Sequence, residues 1–468
     1  MAYPASELVI DPVAIRKHDV SGPRYTSYPT ADRFVEAFGE DSFRHWLGQR
    51  NIGGIQQPLS VYVHLPFCGT ICYYCACNKV ITRDRGKSAK YIKYLERELA
   101  MVGGLLGSPG EDARRARQLH LGGGTPNFLA AEEMRALMAA LRGQFDFAPD
   151  AELSVEIDPR SLAPGAMALL GELGFNRASI GVQDFDPAVQ RAVNRVQSLE
   201  VTRRAIEDAR ASGFRSVNLD LIYGLPKQTR ETFARTLDKV MVLSPERIAL
   251  YHYAHLPDRF KPQRRIESAE LPSPEEKLTI MLDAIRRLSD AGYHYIGMDH
   301  FAKTGDDLAR AQRQGRLHRN FQGYSTRPDC DLIGLGVSAI SKIGPTYSQN
   351  VRTIEEYYDR LNLGTLPTAR GIALDRDDIL RRAVIMALMC HFEVSKESIE
   401  TTYLIKFDDY FKTEIAELKL FEDEGLVENT PEWITVTPKG KLLVRAVAMT
   451  FDRYLRADQR ARRYSKIV

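Results

Sequence analysis

The chain is poor in cysteine, with six in 468 residues, and this excludes a small fold stapled by disulfides. It has no apolar run near the roughly eighteen residues of a membrane span, and it opens without an apolar signal segment. It also lacks an excess of either charge: 64 Lys and Arg stand against 61 Asp and Glu, which gives no case for nucleic acid as the main partner. Internal repeats and low-complexity tracts are absent. A cytoplasmic enzyme with reduced thiols is the expectation, with room for two or three domains at roughly 150 residues each.

The scarce cysteines are not scattered. Four fall within ten residues, Cys68-x3-Cys72-x2-Cys75-x-Cys77, directly after the alternating strand Leu59–His64. Three thiolates spaced in this way on one short loop can converge on an iron-sulfur cubane and leave one iron open to a small molecule. Structural zinc is the alternative, but such sites usually draw two ligands from each of two separated knuckles. The one-residue gap between Cys75 and Cys77 also makes joint ligation of one ion awkward.

From residue 59 short apolar strands alternate with helical patterns. Strands are expected near 59–64, 117–121, 152–157, 178–182, 216–222 and 247–253, with helices at 88–102, 132–141, 199–211 and 229–243 between them. Such alternation predicts parallel strands with crossover helices, either curled into a partial barrel or laid out as a doubly wound sheet. Both place active residues at the carboxyl ends of strands. Expected domains are an irregular N-terminal arm (1–57), the α/β core (58–270), an extension (271–365) and a mostly helical C-terminal domain (366–468). The last ends in a β pair around 427–436, is winged-helix-like, and reads better as a lid than as a DNA-binding unit for want of a basic helix.

The cysteine loop Cys68-Gly-Thr-Ile-Cys72-Tyr-Tyr-Cys75-Ala-Cys77 resembles that of the oxygen-independent coproporphyrinogen III oxidase family, within the radical S-adenosylmethionine superfamily. So do Gly22–Thr30, Gly122-Gly-Gly-Thr-Pro126, Glu156-Ile-Asp-Pro-Arg160, Gly181-Val-Gln-Asp-Phe185, Asn218–Pro226, Tyr251–Pro257 and Asn320–Ser325, nearly end to end.

The resemblance implies a partial (β/α)6 barrel. It further implies a 4Fe-4S cluster on Cys68, Cys72 and Cys75, with S-adenosylmethionine cleaved to a 5′-deoxyadenosyl radical, and leaves the role of Cys77 open. Tyr62, Gly123, Glu156 and Ile340 match first-cofactor positions. Tyr74, Gly124, Thr125, Gln183, Arg195, Asp220 and Ala254 match positions of a second S-adenosylmethionine, bound together with the first or exchanged in. Arg195 and Asp220 could hold opposite ends of one methionyl group or pair with each other. No catalytic side chain is singled out.

The implied reaction converts two propionates of coproporphyrinogen III to vinyl groups, giving protoporphyrinogen IX, in a monomer served by an unidentified reductant and electron acceptor. Arg24, Cys77 and Gln322 are candidate substrate or accessory residues, because carboxylates favour arginine. The competing expectation is a haem-carrying relative (a haem chaperone) without decarboxylase activity. Such relatives lack a counterpart of Cys77 and of the Arg24-Tyr-Thr-Ser-Tyr arm.

Overall fold

The computed structural model describes residues 8–50, 57–107, 114–327, 330–457 and 466. The chain divides into two compact units, one of residues 34–280 and 329–373, the other of 1–33, 281–328 and 374–468.

In the first unit eight strands follow one another along the core: β1 (Leu59–Leu65), β2 (Phe67–Cys68), β3 (Val80–Ile81), β4 (Arg115–Gly123), β5 (Asp146–Ile157), β6 (Arg177–Gln183), β7 (Ser216–Tyr223) and β8 (Arg247–His252). Crossover helices Arg85–Leu105, Ala131–Gln144, Leu199–Ala211 and Arg230–Leu243 lie between the long strands. Their starts are written in the sequence, since Asp84, Ser198 and Thr229 each accept a backbone N–H at an N-cap.

The long strands pair in chain order, β1-β4-β5-β6-β7-β8, all parallel. A doubly wound sheet would reverse its order at a switch point. Winding in one direction is that of a barrel, and among the described residues the order does not close on itself, so the architecture is a partial barrel.

On the other side of β1 lies Asp331–Leu335, also parallel, followed by the antiparallel strands Ile340–Ile343, Thr346–Asn350 and Thr368–Ala373. The glycine-rich Gly334–Ser338 stretch hid this addition, because glycine weakens a strand pattern.

Alternation along the strands separates two faces. Val61, Val63, Leu119, Leu121, Leu153, Val155, Ile180, Leu219 and Leu221 are buried. Tyr62, His120, Ser154, Glu156, Ser179, Asn218 and Asp220 are half-buried and share the opposite, concave face. The register carries this polar row across the sheet, with Tyr62 opposite His120, His120 opposite Ser154, Glu156 opposite Ser179, and Gly181 opposite Asp220.

The second unit holds the hairpin Tyr293–Gly297/His300–Lys303, the short pair His318–Asn320/Gly323–Ser325 and the C-terminal helices Arg376–His391, Lys396–Tyr403 and Lys412–Asp423. Those helices are joined by a three-stranded antiparallel sheet of Glu393–Ser395, Trp433–Val436 and Val427–Asn429, in that order. The winged-helix-like character is therefore present, with a third strand at Glu393–Ser395 that the sequence pattern did not reveal.

The compact units do not follow the expected boundaries. Residues 1–57 are cut at Arg33/Phe34 and carry two helices, Pro12–His18 and Glu40–Gly48; residues 1–7 and 51–56 lie outside the described ones. Asp11 caps the first helix ahead of Pro12, and Phe43 and Leu47 bury one face of the second. Phe34 stacks on Tyr347 at 6.0 Å in one unit, while the Tyr25 hydroxyl donates to Asp452 at 3.0 Å in the other. The remaining boundaries fall at Ile280/Met281, Pro328/Asp329 and Ala373/Leu374.

Candidate functional site

The cysteine loop is clipped at its base and along its length. β2 and β3 pair in parallel, joining Phe67 to Val80 and Cys68 to Ile81. Between them the Tyr73 N–H donates to the Val193 carbonyl at 3.0 Å, Asn194 Nδ2 to the Ile71 carbonyl at 2.7 Å, and Lys79 Nζ to the Cys75 carbonyl at 3.0 Å. Cys72 is buried, Cys68 and Cys75 are half-buried, and Cys77 is exposed.

Donors point at the sulfurs. The Thr125 hydroxyl lies 3.4 Å from Cys68 Sγ; Arg160 Nη2 and Arg195 Nη1 lie 3.4 and 3.6 Å from Cys72 Sγ. Burial pushes the Cys68 thiol up to about 11, whereas the Cys77 thiol hydrogen bond and, beyond it, the Lys79 charge draw Cys75 down to about 6. Among the described residues no three His, Cys, Asp or Glu side chains form a single-ion site. A cubane makes no such demand, since each thiolate binds its own iron. Thiols on one clipped loop beneath two guanidiniums fit such a cluster, because positive neighbours favour thiolates.

A backbone cradle follows at the end of β4. Gly123 has φ 115°, and a Cβ there would meet the His64 ring at 2.6 Å; on Gly124 it would meet the Pro66 carbonyl carbon at 2.6 Å. The Gly123 N–H donates to Glu156 Oε2 at 3.0 Å, and His120 Nε2 lies 3.2 Å from Glu156 Oε1. Burial acts to raise the Glu156 carboxyl, but these contacts outweigh it and hold the group below its usual range. Tyr62 stacks on His120 at 5.8 Å and shares a 3.0 Å hydrogen bond with His64 Nδ1. Gly334 pairs with Tyr62 across the sheet and lies against the Ile340 backbone, so Tyr62, Gly123 and Glu156 are brought together and Ile340 joins them through the sheet. Carboxylate, bare backbone and ring fit an aminoacyl nucleoside with ribose hydroxyls.

The remaining polar residues line the ends of β6 and β7. Arg195 pairs with Asp158 at 3.4 Å rather than with Asp220, and its Nη2 donates to the Gly181 carbonyl at 2.7 Å. Arg195 Nε is buried with no partner among the described residues. Asp220 instead accepts from Ser179 at 3.0 Å and Asn218 at 2.8 Å; burial, with Glu156 nearby, pushes it up to about 7. Gln183 has φ 71°, and its Nε2 and the Arg195 guanidinium both crowd Gly181. Gln263 Nε2 ties the Tyr74 carbonyl at 3.0 Å to the Ala254 carbonyl at 3.2 Å.

Arg24 and Gln322 belong to the other compact unit. There Arg24 forms an ion pair with Asp299, and the Gln322 side-chain amide nitrogen is buried without a partner among the described residues.

Sequence reasoning missed Asp158, Arg160, His120 and Gln263 as site residues. Asp158 and Arg160 stand inside the Glu156–Arg160 motif, and His120 lies two residues before Gly122 on the same strand face, so each carried a signal. Gln263 carried none.

Comparison with known proteins agrees with this geometry. Residues 62–240 match the radical SAM superfamily model and residues 374–443 the HemN C-terminal domain. An oxygen-independent coproporphyrinogen III oxidase of Pseudomonas aeruginosa is 51% identical over 97% of this chain and 98% of its own. One of Escherichia coli is 46% identical over 98% of each. The solved structure of coproporphyrinogen III oxidase (HemN) from Escherichia coli, a radical SAM enzyme, superposes with a TM-score of 0.90 at 45% identity, covering 96% of this chain and all 100% of that one. With thiol loop, glycine cradle and relatives in agreement over almost the whole length, the chain belongs to the oxygen-independent coproporphyrinogen III oxidase family of radical SAM enzymes.

Proposed function

We propose that this chain catalyses the oxygen-independent oxidative decarboxylation of two propionate side chains of coproporphyrinogen III to vinyl groups, giving protoporphyrinogen IX, with a 4Fe-4S cluster and S-adenosylmethionine as cofactors. The observation that carries this is the end-to-end likeness to named oxidases, 51% over 97% of the chain. When bound, the cluster and S-adenosylmethionine supply a 5′-deoxyadenosyl radical able to take a hydrogen atom from a propionate β-carbon.

In this reading Cys68, Cys72 and Cys75 hold the iron, while Cys77, exposed at the loop end, stays off it. Thr125, Arg160 and Arg195 stabilise thiolate charge by donating toward the sulfurs. The Gly123 and Gly124 backbone receives the methionyl end of the first cofactor, Glu156 the ribose, and Tyr62 and Ile340 border it. Tyr74, Gly124, Thr125, Gln183, Arg195, Asp220 and Ala254 form a second polar pocket for another S-adenosylmethionine. Arg195, held by Asp158 and by the Gly181 carbonyl, is oriented for a carboxylate, and Asp220 for an ammonium. Arg24 and Gln322 serve the substrate: a propionate would compete with Asp299 for Arg24, and the buried Gln322 amide offers an unused donor.

No helix among the described residues is long and apolar enough to cross a membrane. A cytoplasmic monomer drawing on a separate reductant and electron acceptor completes the proposal.

The test is an anaerobic assay of reconstituted protein with coproporphyrinogen III, S-adenosylmethionine and a chemical reductant. Protoporphyrinogen IX should accumulate together with 5′-deoxyadenosine and carbon dioxide. Tight haem binding with no decarboxylation would replace this function by that of a haem carrier.

A further inference from the structure

The motif Gly181-Val-Gln-Asp-Phe185 contains a carboxylate that the proposed reaction does not use. Asp184 is 1% exposed and turned away from the concave face. Its Oδ1 accepts from the Asp186 N–H at 2.7 Å and the Thr236 hydroxyl at 2.6 Å, and its Oδ2 from Gln228 Nε2 at 2.5 Å. A buried carboxylate is costly unless each oxygen is satisfied, and here both are.

The partners of Asp184 reach three separate segments. Gln228 Nε2 also donates to the Ile222 carbonyl at 2.8 Å and Gln228 Oε1 accepts from the Leu225 N–H at 2.9 Å, so the loop leaving β7 just beyond Asp220 is bound to Asp184. Thr236, on the helix Arg230–Leu243, accepts from the Phe185 N–H at 3.1 Å. The Asp184 carbonyl accepts from Gln190 Nε2 at 2.9 Å, and Gln190 in turn bonds the Gln197 carbonyl at 2.7 Å and the Gln197 N–H at 3.0 Å. The Arg195 N–H donates to the Gln190 carbonyl at 2.8 Å. Gln183, with its φ of 71°, is the immediate neighbour of Asp184. A non-glycine residue is kept in that region only where its surroundings over-determine it.

We infer that Asp184 is a positioning residue: its buried carboxylate ties the turn that carries Gln183 to the loop leaving β7 beyond Asp220, while its backbone carbonyl holds Gln190 and through it the Arg195 segment, and so Asp184 presets the second polar pocket for an aminoacyl ligand of S-adenosylmethionine type. This rests on the reading, proposed above, that those three residues share a ligand.

Asp184→Asn is nearly isosteric but turns an amide N–H2 toward the Gln228 amide, setting donor against donor. Gln228 cannot flip without losing its bonds to Ile222 and Leu225. Exchanging the two groups, Asp184→Asn with Gln228→Glu, restores an acceptor opposite the new amide and keeps the Leu225 bond, but gives up the bond to the Ile222 carbonyl.

The experiment uses full-length, cluster-loaded protein without oxygen. Hydrogen exchange by mass spectrometry should accelerate tenfold or more in D184N over residues 183–197 and 222–228, but not over Gly122–Gly124 or the cysteine loop. The double variant should recover most of that protection over residues 183–197. Equilibrium dialysis with S-adenosylmethionine should give two sites in the wild type and one in D184N, with iron and sulfide contents equal. Unchanged exchange in D184N, acceleration spread evenly over the chain, or two sites of unchanged affinity would each overturn the inference. A single site in the wild type would instead remove the second cofactor from the functional reading and leave Asp184 to be judged on its exchange pattern.

Discussion

Burial and the nearby Glu156 charge push the Asp220 carboxyl up to about 7, outweighing its bonds from Ser179 and Asn218. Its folded pKa of about 7 lies above the ordinary 3.8, so the charged form is the penalised one, and the stability tied to this group falls as pH rises between those values. A ligand ammonium reverses the preference by pairing with the carboxylate. S-adenosylmethionine bound there should therefore tighten roughly tenfold per pH unit on approach to pH ~7 and level off above it, since one pKa unit corresponds to about 1.4 kcal/mol. Dialysis across pH 6 to 8 checks this, and an Asp220→Asn protein with the same profile would contradict it. The cysteines make a sharper division: Cys68→Ala, Cys72→Ala and Cys75→Ala should each abolish the cluster, since a methyl group cannot replace a thiolate. Cys77→Ala should keep it while turnover falls, and iron analysis with electron paramagnetic resonance distinguishes the two results. Cysteine spacing was legible because its chemistry is local. That Arg195 pairs with Asp158 and not Asp220 was illegible, because it depends on which strand-end loop each side chain leaves.

Among the elements, the expected strands and crossover helices were readable, mostly to within a few residues, because β-branched runs and N-caps are local signals, but the short helix Ala166–Glu172 and the first six residues of β5 were not. Nor were the strand Asp331–Leu335 and its antiparallel followers, because besides their glycines the turn between them is anchored by a buried carboxyl far away in sequence. Glu98, on the helix Arg85–Leu105 and 2% exposed, accepts from the Gly336 N–H at 2.7 Å, the Tyr357 hydroxyl at 2.6 Å and Asn350 Nδ2 at 2.7 Å. Beside it the Tyr91 hydroxyl donates to the His64 carbonyl at 2.9 Å and accepts from the Val337 N–H at 2.9 Å, pinning the Gly336 turn to the end of β1. Glu98→Ala would orphan the Gly336 N–H and the Tyr357 hydroxyl, whereas Asn350 Nδ2 keeps its bond to the Gly336 carbonyl at 2.9 Å. At roughly 1–3 kcal/mol for each orphan, the loss should be about 2 kcal/mol or more, measurable as a lower urea midpoint. A midpoint unchanged from the wild type would show that water replaces the carboxylate without cost.

Across the whole molecule, the cysteine loop and the residues that grip it belong to one compact unit. Around Cys72 the balance of charge is uneven, with two guanidiniums, Arg160 and Arg195, facing the single carboxylate Asp158. Thiolates on iron would bring negative charge to that surplus, so the cluster acts as a ligand of the folded state and stabilises it by mass action. Stripping the iron anaerobically with a chelator should lower the melting temperature by roughly 1–2 °C for each kcal/mol withdrawn. Hydrogen exchange should accelerate over Phe67–Ile81 and over Asp158–Arg160, whereas the helices of residues 376–423 should exchange as before. Coincident melting of loaded and stripped protein would mean that the loop holds its shape through the Val193, Asn194 and Lys79 clips alone, and that the arginines answer to Asp158 and not to the cluster.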